Sequence, residues 1–397
     1  MYNKKSLCER LHIRDLRCPV RLLQTAPLEQ TCPCVVTFEI GAVMINASNS
    51  FERVLTAISR QEPDRVPLAE MGIDREIKDA FLGRPVLDLQ DEIDFWTSAG
   101  YDYLLIDTDL YASPQIQQAI LNPHANTATL YADHSQDRNW VSTHAKAIQS
   151  WDDVERFPWP TADQIDTSVY LALGKQLPPG MKAICTFGHI FTAAWQLMGF
   201  ETFCIASIDS PDLIQNMMDR LGAETMRLLE RVLEFDCVGA VCLQDDIAYS
   251  SGLMISPKQL RQCFFPWLQR AAELTHAYNR PLLYHTDGDV SRVLDDIVAA
   301  GVDALHPIEP KCMDIVAVKQ RYGDRLALIG NVDLGYTLTR GTPQEVAEEV
   351  QFLIKNLAPG GGYLLSSANS ITNYVPLENY QALLKTALDY GRYPISL

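Results

Sequence analysis

The sequence has no apolar run long enough to span a bilayer and no signal-peptide-like apolar stretch near its start. The expectation is a soluble, cytoplasmic protein with no membrane partner. Positive charge is scarce: 33 Lys and Arg stand against 50 Asp and Glu, a formal net charge of −17. No basic cluster with interleaved aromatics interrupts that excess, so no nucleic-acid partner is expected. A disulfide framework is missing as well. Cys185, Cys204, Cys237, Cys242, Cys263 and Cys312 are widely spaced in mostly apolar company and read as reduced, structural thiols. Cys8, Cys18, Cys32 and Cys34 crowd the start of the chain, but "TCPC" has no second pair at zinc-finger spacing. Repeats and low-complexity linkers are absent, and no second globular domain is expected.

What is present is alternation. Residues 1–43 carry no sustained period and read as a poorly ordered N-terminal extension; the domain is expected over 44–397. It opens with a helix that Ser48 or Ser50 starts and that closes before Pro63. Eight β-rich runs follow: "VPLAEM" near 66, "DYLLIDTD" at 102, "KAICTFGH" at 182, "GAVCLQDD" at 239, "PLLYHTD" at 281, "DALHPIE" at 303, "LALIGNVD" at 326 and "GYLLSSAN" at 362. Helical stretches such as "SPDLIQNMMDRLGAETMRLLERVLEF", "SPKQLRQCFFPWLQRAAELTHAY" and "TPQEVAEEVQFLIKNL" separate most of them. Parallel strands with crossover helices are the simplest reading, closed as a single α/β (β/α)₈ TIM barrel. "NTATLYADHSQDRNWVSTHAKAIQSWDDVERFPWP" breaks the pattern and reads as a hairpin-like insertion after the second strand.

In such a barrel the chemistry sits at the C-terminal ends of the strands. Here those ends carry Asp107 and Asp109, His189, Gln244 to Asp246, His285 and Asp287, His306 and Glu309, Asn331 and Asp333, then Ser367 and Asn369. Any one of them has a plain role as a helix cap or polar loop residue. Their convergence on one mouth points to a site. Residues two apart share a strand face about 6.6 Å apart, so His285 pairs with Asp287 and Asp107 with Asp109. Of Asp245 and Asp246 only one faces the lumen; the reading places Asp246 there beside Gln244.

Several of these segments resemble the uroporphyrinogen decarboxylase superfamily. "GYDYLLIDTDLYASPQ" is similar to the segment with that family's essential aspartate, onto which Asp109 falls. "GHIFTAAWQLMG", "DDIAYSSGLMISP" and "YHTDGDVSRVLDDIVAAGVDAL" extend the likeness from about Ser50 to the C-terminus. The resemblance implies a (β/α)₈ barrel, in a superfamily that also holds cobamide-dependent methyltransferases whose zinc is bound by an H-x-C pair and a later Cys. The chain departs from both branches. "RVPLAEMGIDREIKDAF" lacks the decarboxylases' M-R-Q-A-G-R; Arg65 and Arg75 match neither arginine. Gln196 stands for their tyrosine, Asp246 for a serine and Asn369 for a late histidine. Against the methyltransferases' His, Cys and Cys, the chain offers His285, Asp287 and Asn369.

Zinc or another divalent ion accepts N and O ligands, so His285 with Asp287, completed by Asp246, Glu70 or water, is a candidate open metal site. The alternative is a lumenal histidine oriented by neighbouring carboxylates, with no metal role. The first functional expectation is a corrinoid-linked methyltransferase, acting on a small methylated compound or a thiol. Asp109 and Asp246 would be catalytic, and Gln196, Gln244, Asn369 and His189 would contact substrate. No D-x-H-x-x-G stretch is present, so the corrinoid would arrive on a separate partner protein. The second is a cofactor-free decarboxylase in which Asp109 stabilises a protonated intermediate; the third is a non-catalytic binding barrel. Apolar segments on the outer helices make a homodimer an expectation.

Overall fold

Short aliphatic runs, each followed by a helix, build one curved parallel sheet. The computed structural model of the chain describes residues 49–120 and 147–396. The strands are β1 (Tyr103–Asp107), β2 (Lys182–Gly188), β3 (Val238–Gln244), the two-residue strands β4 (Ala248–Tyr249) and β5 (Gly252–Leu253), then β6 (Leu282–His285), β7 (Ala304–His306), β8 (Ala327–Val332) and β9 (Tyr363–Ser367). Seven of them pair in the order β1-β2-β3-β6-β7-β8-β9, all parallel. β4 and β5 form a small antiparallel hairpin after β3. Leu104, Ile184, Val241, Leu283, Ala304, Leu328 and Leu365 are all fully buried, as expected of a parallel sheet covered on both faces.

The first of the eight expected strands does not form a full ladder. Leu68 bridges Leu365 of β9, where Ala69 N donates to Leu365 O at 2.7 Å and Leu365 N to Pro67 O at 3.0 Å. Pro67 has no N–H to extend the pairing. Toward β1 a side chain takes the place of a backbone partner: Tyr103 Oη accepts from Glu70 N and donates to Glu70 O, both at 2.9 Å. The fold is thus TIM-barrel-like, with seven ladder strands and an eighth segment seated between β9 and β1.

Most helix boundaries follow local chemistry. Ser50 precedes the helix Phe51–Ile58, and Thr342 and Glu345 make a capping box for Pro343–Leu357. "SPKQLRQCFFPWLQRAAELTHAY" forms two helices rather than one, Pro257–Cys263 and Phe265–Ala277. Pro266 lies in the first turn of the second, where a missing N–H is tolerated. The expected extension, 1–43, lies outside the described residues, as does 121–146 of the expected insertion. The described remainder of that insertion contains a short helix, Trp151–Arg156, whose Ser150 side chain accepts from Asp153 N. At the opposite end of the sheet from the site, Asp102 just before β1 is fully buried against Arg53 and Arg65 and accepts from Ser50 N at 2.8 Å. No helix among the described residues is long and apolar enough to cross a membrane.

Candidate active site

The ends of β3 and β6 bring three side chains together. Asp246, His285 and Asp287 offer ligand atoms that all lie within 4.8 Å of one another. Asp287 N donates to Asp246 Oδ1 at 2.8 Å, and Asn369 Nδ2 donates to both Asp287 oxygens at 2.9 and 2.8 Å. As spacing of two along the chain implies, His285 Nε2 and Asp287 Oδ1 approach to 3.7 Å, while Asp245 is engaged elsewhere. Its carboxylate accepts from Phe191 N at 2.7 Å and Thr192 N at 2.8 Å, at the start of the helix Ile190–Met198. Burial, partly offset by His189 and these bonds, pushes Asp245 up to about 6.

Glycine decides how closely the loop after β6 approaches the β4–β5 hairpin. Gly288 has φ +84, and a Cβ there would lie 2.7 Å from the Ala248 and Tyr249 backbone. The loop is pinned by Asp289 N donating to Tyr249 O at 3.0 Å and by Gly288 N donating to Glu309 Oε2 at 2.8 Å.

Behind His285 runs a buried chain of hydrogen bonds. His285 and His306 pair through their Nδ1 atoms at 2.7 Å, with rings stacked at 4.9 Å. His306 Nε2 meets Ser366 Oγ at 3.2 Å, and Ser366 Oγ donates to Glu70 Oε2 at 3.3 Å. Burial lowers the basicity of both histidines and so favours their neutral forms. The chain can run in either direction, because Glu70, raised to about 8, can carry a proton of its own. In the direction that ends on Glu70 Oε2 as acceptor, Ser366 gives its proton to Glu70 and accepts from His306 Nε2–H, and His306 Nδ1 accepts from His285 Nδ1–H. His285 Nε2 then has a free lone pair beside two carboxylates, the tautomer a metal ligand needs.

The charge balance points the same way. Burial, with Asp246 and Glu309 nearby, pushes the Asp287 carboxyl well above its usual range, and Lys311, paired with Glu309 at 3.0 Å, only partly opposes this. A cation among these oxygens relieves that repulsion. The donor set, one imidazole nitrogen and carboxylate oxygens, fits zinc or another divalent ion with an open position. Glu70 is not part of it. Its side chain is held by Ser367 N at 2.8 Å and Ser367 Oγ at 2.6 Å, and burial pushes it up to about 8.

Two of the three, Asp246 and His285, line a cavity of about 210 Å³ together with Met71, His189, Gln244, Asp245 and Ser370. Its volume lies below the range of about 300–1,000 Å³ common for drug-sized ligands. Among the described residues no Arg or Lys lines it. His189 and Gln244, expected to contact substrate, stand at this surface. Asp109 does not: only 4% exposed, it accepts from Tyr111 N at 2.9 Å and pairs with His189 Nδ1 at 2.6 Å. Gln196 is also turned inward, its Oε1 accepting from Tyr111 Oη at 2.6 Å, and Asn369 is committed to Asp287. Asp107 accepts from Thr186 Oγ1 at 3.1 Å, Asn331 bonds Ile308 O, and Asp333 accepts from Gly335 N and Tyr336 N. The last is a loop cap rather than a pocket group.

The family model described as uroporphyrinogen decarboxylase (URO-D) matches residues 140–390, a range that holds the triad but starts after Asp109. A methylcobamide:CoM methyltransferase from Methanosarcina barkeri is 26% identical over 199 residues, 50% of this chain and 56% of that protein. The match thus spans little more than half of that relative's length. A uroporphyrinogen decarboxylase from Coxiella burnetii is 25% identical over 257 residues, 62% of this chain and 68% of that protein. A solved methyltransferase from Methanosarcina mazei aligns with TM-score 0.61 at 20% identity, covering 86% of this chain and 99% of that one, a likeness of fold.

Proposed function

The chain belongs to the uroporphyrinogen decarboxylase family, and from that premise we propose that it is a corrinoid-linked methyltransferase for a small, uncharged or cationic methylated substrate. In this reading Asp246, His285 and Asp287 hold a divalent metal, and the corrinoid is carried by a separate protein. The observation that carries it is the convergence of Asp246, His285 and Asp287, whose ligand atoms all lie within 4.8 Å of one another, with a buried hydrogen-bond chain behind His285 able to hold its Nε2 unprotonated. The likeness to a methylcobamide:CoM methyltransferase supports the reaction class. When bound, a divalent ion at this N/O donor set supplies a Lewis acid toward a substrate oxygen. Asn369 keeps Asp287 turned toward the site, His306 keeps His285 in the ligating tautomer, and Gln244 offers a neutral amide to the substrate.

The decarboxylase relatives favour a second reading, with Asp109 as the central group. Against it stand the engagement of both Asp109 oxygens inside the protein and the lack of a cationic side chain on the cavity wall among the described residues. A polycarboxylate needs guanidinium partners.

Metal analysis separates the readings. Purified protein reconstituted with zinc is expected to retain about one ion per chain, and His285→Ala to lose it. A wild-type protein that keeps no divalent ion after reconstitution removes the methyltransferase reading. Turnover that survives His285→Ala but not Asp109→Asn establishes the decarboxylase one.

A further inference from the structure

His189 is built for a task that capping a helix does not explain. It opens the helix Ile190–Met198 in a left-handed conformation, φ 48, directly after Gly188 at φ 131. A non-glycine residue there is strained, and such strain persists where the surroundings over-determine it. Three contacts do so. His189 N donates to Gln244 O at 2.8 Å, Nδ1 is held by Asp109 at 2.6 Å, and the ring stacks on Tyr111 at 4.6 Å. Its Nε2 has no protein partner among the described residues, and the ring lines the same cavity as Asp246 and His285.

The groups that face the ring are almost all acidic: Asp109 in direct contact, Asp245 and Asp107 nearby. The neutral His285 and Tyr111, whose hydroxyl burial pushes up to about 12, complete the surround. Burial alone would lower the basicity of His189, but these carboxylates outweigh it and raise the imidazolium to about 9. A histidine in this setting keeps both protons at neutral pH, one on Asp109 and one presented to the cavity.

We propose that His189, oriented by Asp109, donates from Nε2 to the reacting atom of the substrate, and that this atom is the oxygen of a methoxy compound. The inference rests on the methyl-transfer reading and deepens it. When the methyl carbon–oxygen bond breaks, its electron pair stays on the oxygen, which must take up a proton. The methyl carbon is bonded by the electron pair of the incoming nucleophile, the reduced corrinoid of the partner protein. The Nε2 proton passes to the oxygen, a hydroxyl compound leaves, and solvent reprotonates His189, whose side chain is 26% exposed. A thiol acceptor would instead release a proton and need a base there. Asp109 is a positioning residue: it touches His189, not the substrate.

The test combines ¹⁵N NMR of His189 with binding of phenol, a product-like probe, to zinc-loaded protein. Both ring nitrogens of the wild type are expected to carry protons at pH 7. In Asp109→Asn the acidity constant of His189 should rise about 100-fold. His189→Asn, in which Asn tolerates the left-handed backbone, should bind phenol at least about tenfold more weakly while retaining zinc. A neutral His189 with unprotonated Nε2 at pH 7, no phenol binding by the wild type, or equal phenol affinity in His189→Asn would each overturn the proposal. The NMR arm needs no metal. A wild type that fails to hold zinc would therefore count against the methyltransferase reading and leave the proton assignment to be judged separately.

Discussion

Replacing His306 with Phe isolates the hydrogen-bond chain from the packing around it. Phenylalanine keeps a ring stacked on His285, now 4.9 Å away, but removes both nitrogens that link His285 to Ser366. His285 Nδ1 then has no acceptor, and its proton is free to move to Nε2, where Asp246 and Asp287 attract it. An entering metal must displace that proton. Loss of an outer-shell orienting partner typically weakens metal binding about 10–100-fold, or about 1.4–2.7 kcal/mol. Leaving a buried ring nitrogen unsatisfied adds about 1–3 kcal/mol of destabilisation to the metal-free fold. Zinc competition against a chromophoric chelator at pH 7.5 reads the first quantity, and thermal unfolding of the metal-free protein reads the second. If the folded variant binds zinc within about twofold of the wild type, the tautomer assignment is wrong, whatever the melting temperature.

Two further predictions concern the buried groups around this chain and beneath the sheet. Glu70, raised by burial from 4.5 to about 8, contributes stability fully present below about pH 4.5 and lost as pH rises toward about 8. Glu70→Gln does not titrate, so its stability relative to wild type should increase between pH 5 and pH 8. Equal differences in urea midpoint at the two pH values would remove Glu70 from the titrating groups. Arg53→Met leaves Asp102, fully buried, with the Ser50 N–H and, as its remaining cationic contact among the described residues, the longer 3.5 Å approach of Arg65. Breaking one side of a buried ion pair typically costs about 3–5 kcal/mol. An unfolding free energy within about 1 kcal/mol of wild type would show that this cluster is not what ties residues 49–65 to β1.

How much of this was legible beforehand follows from the range of the interactions involved. The alternation of strands and helices is written in periodicity and capping residues that act over a few positions, and seven of the eight expected strands form the ladder. Strand parity is equally local, so the pairing of His285 with Asp287 and the opposite directions of Asp245 and Asp246 were readable from spacing of two and of one. The eighth strand was misjudged in degree because Pro67 withholds a ladder donor and Tyr103, a side chain from another strand, fills the gap.

The roles of Asp109, Gln196, Asn369, His306 and Glu70 belong to the tertiary structure. As residue types at strand ends, all are compatible with touching a substrate. Register decides otherwise: β6 against β7 sets His285 beside His306, and β9 against the first segment sets Ser366 over Glu70. Sequence alone determined which residues reach the mouth, because side-chain direction repeats every two positions along a strand. Only the assembled sheet determined which of them face the cavity and which bond one another, because those contacts join segments up to 297 positions apart.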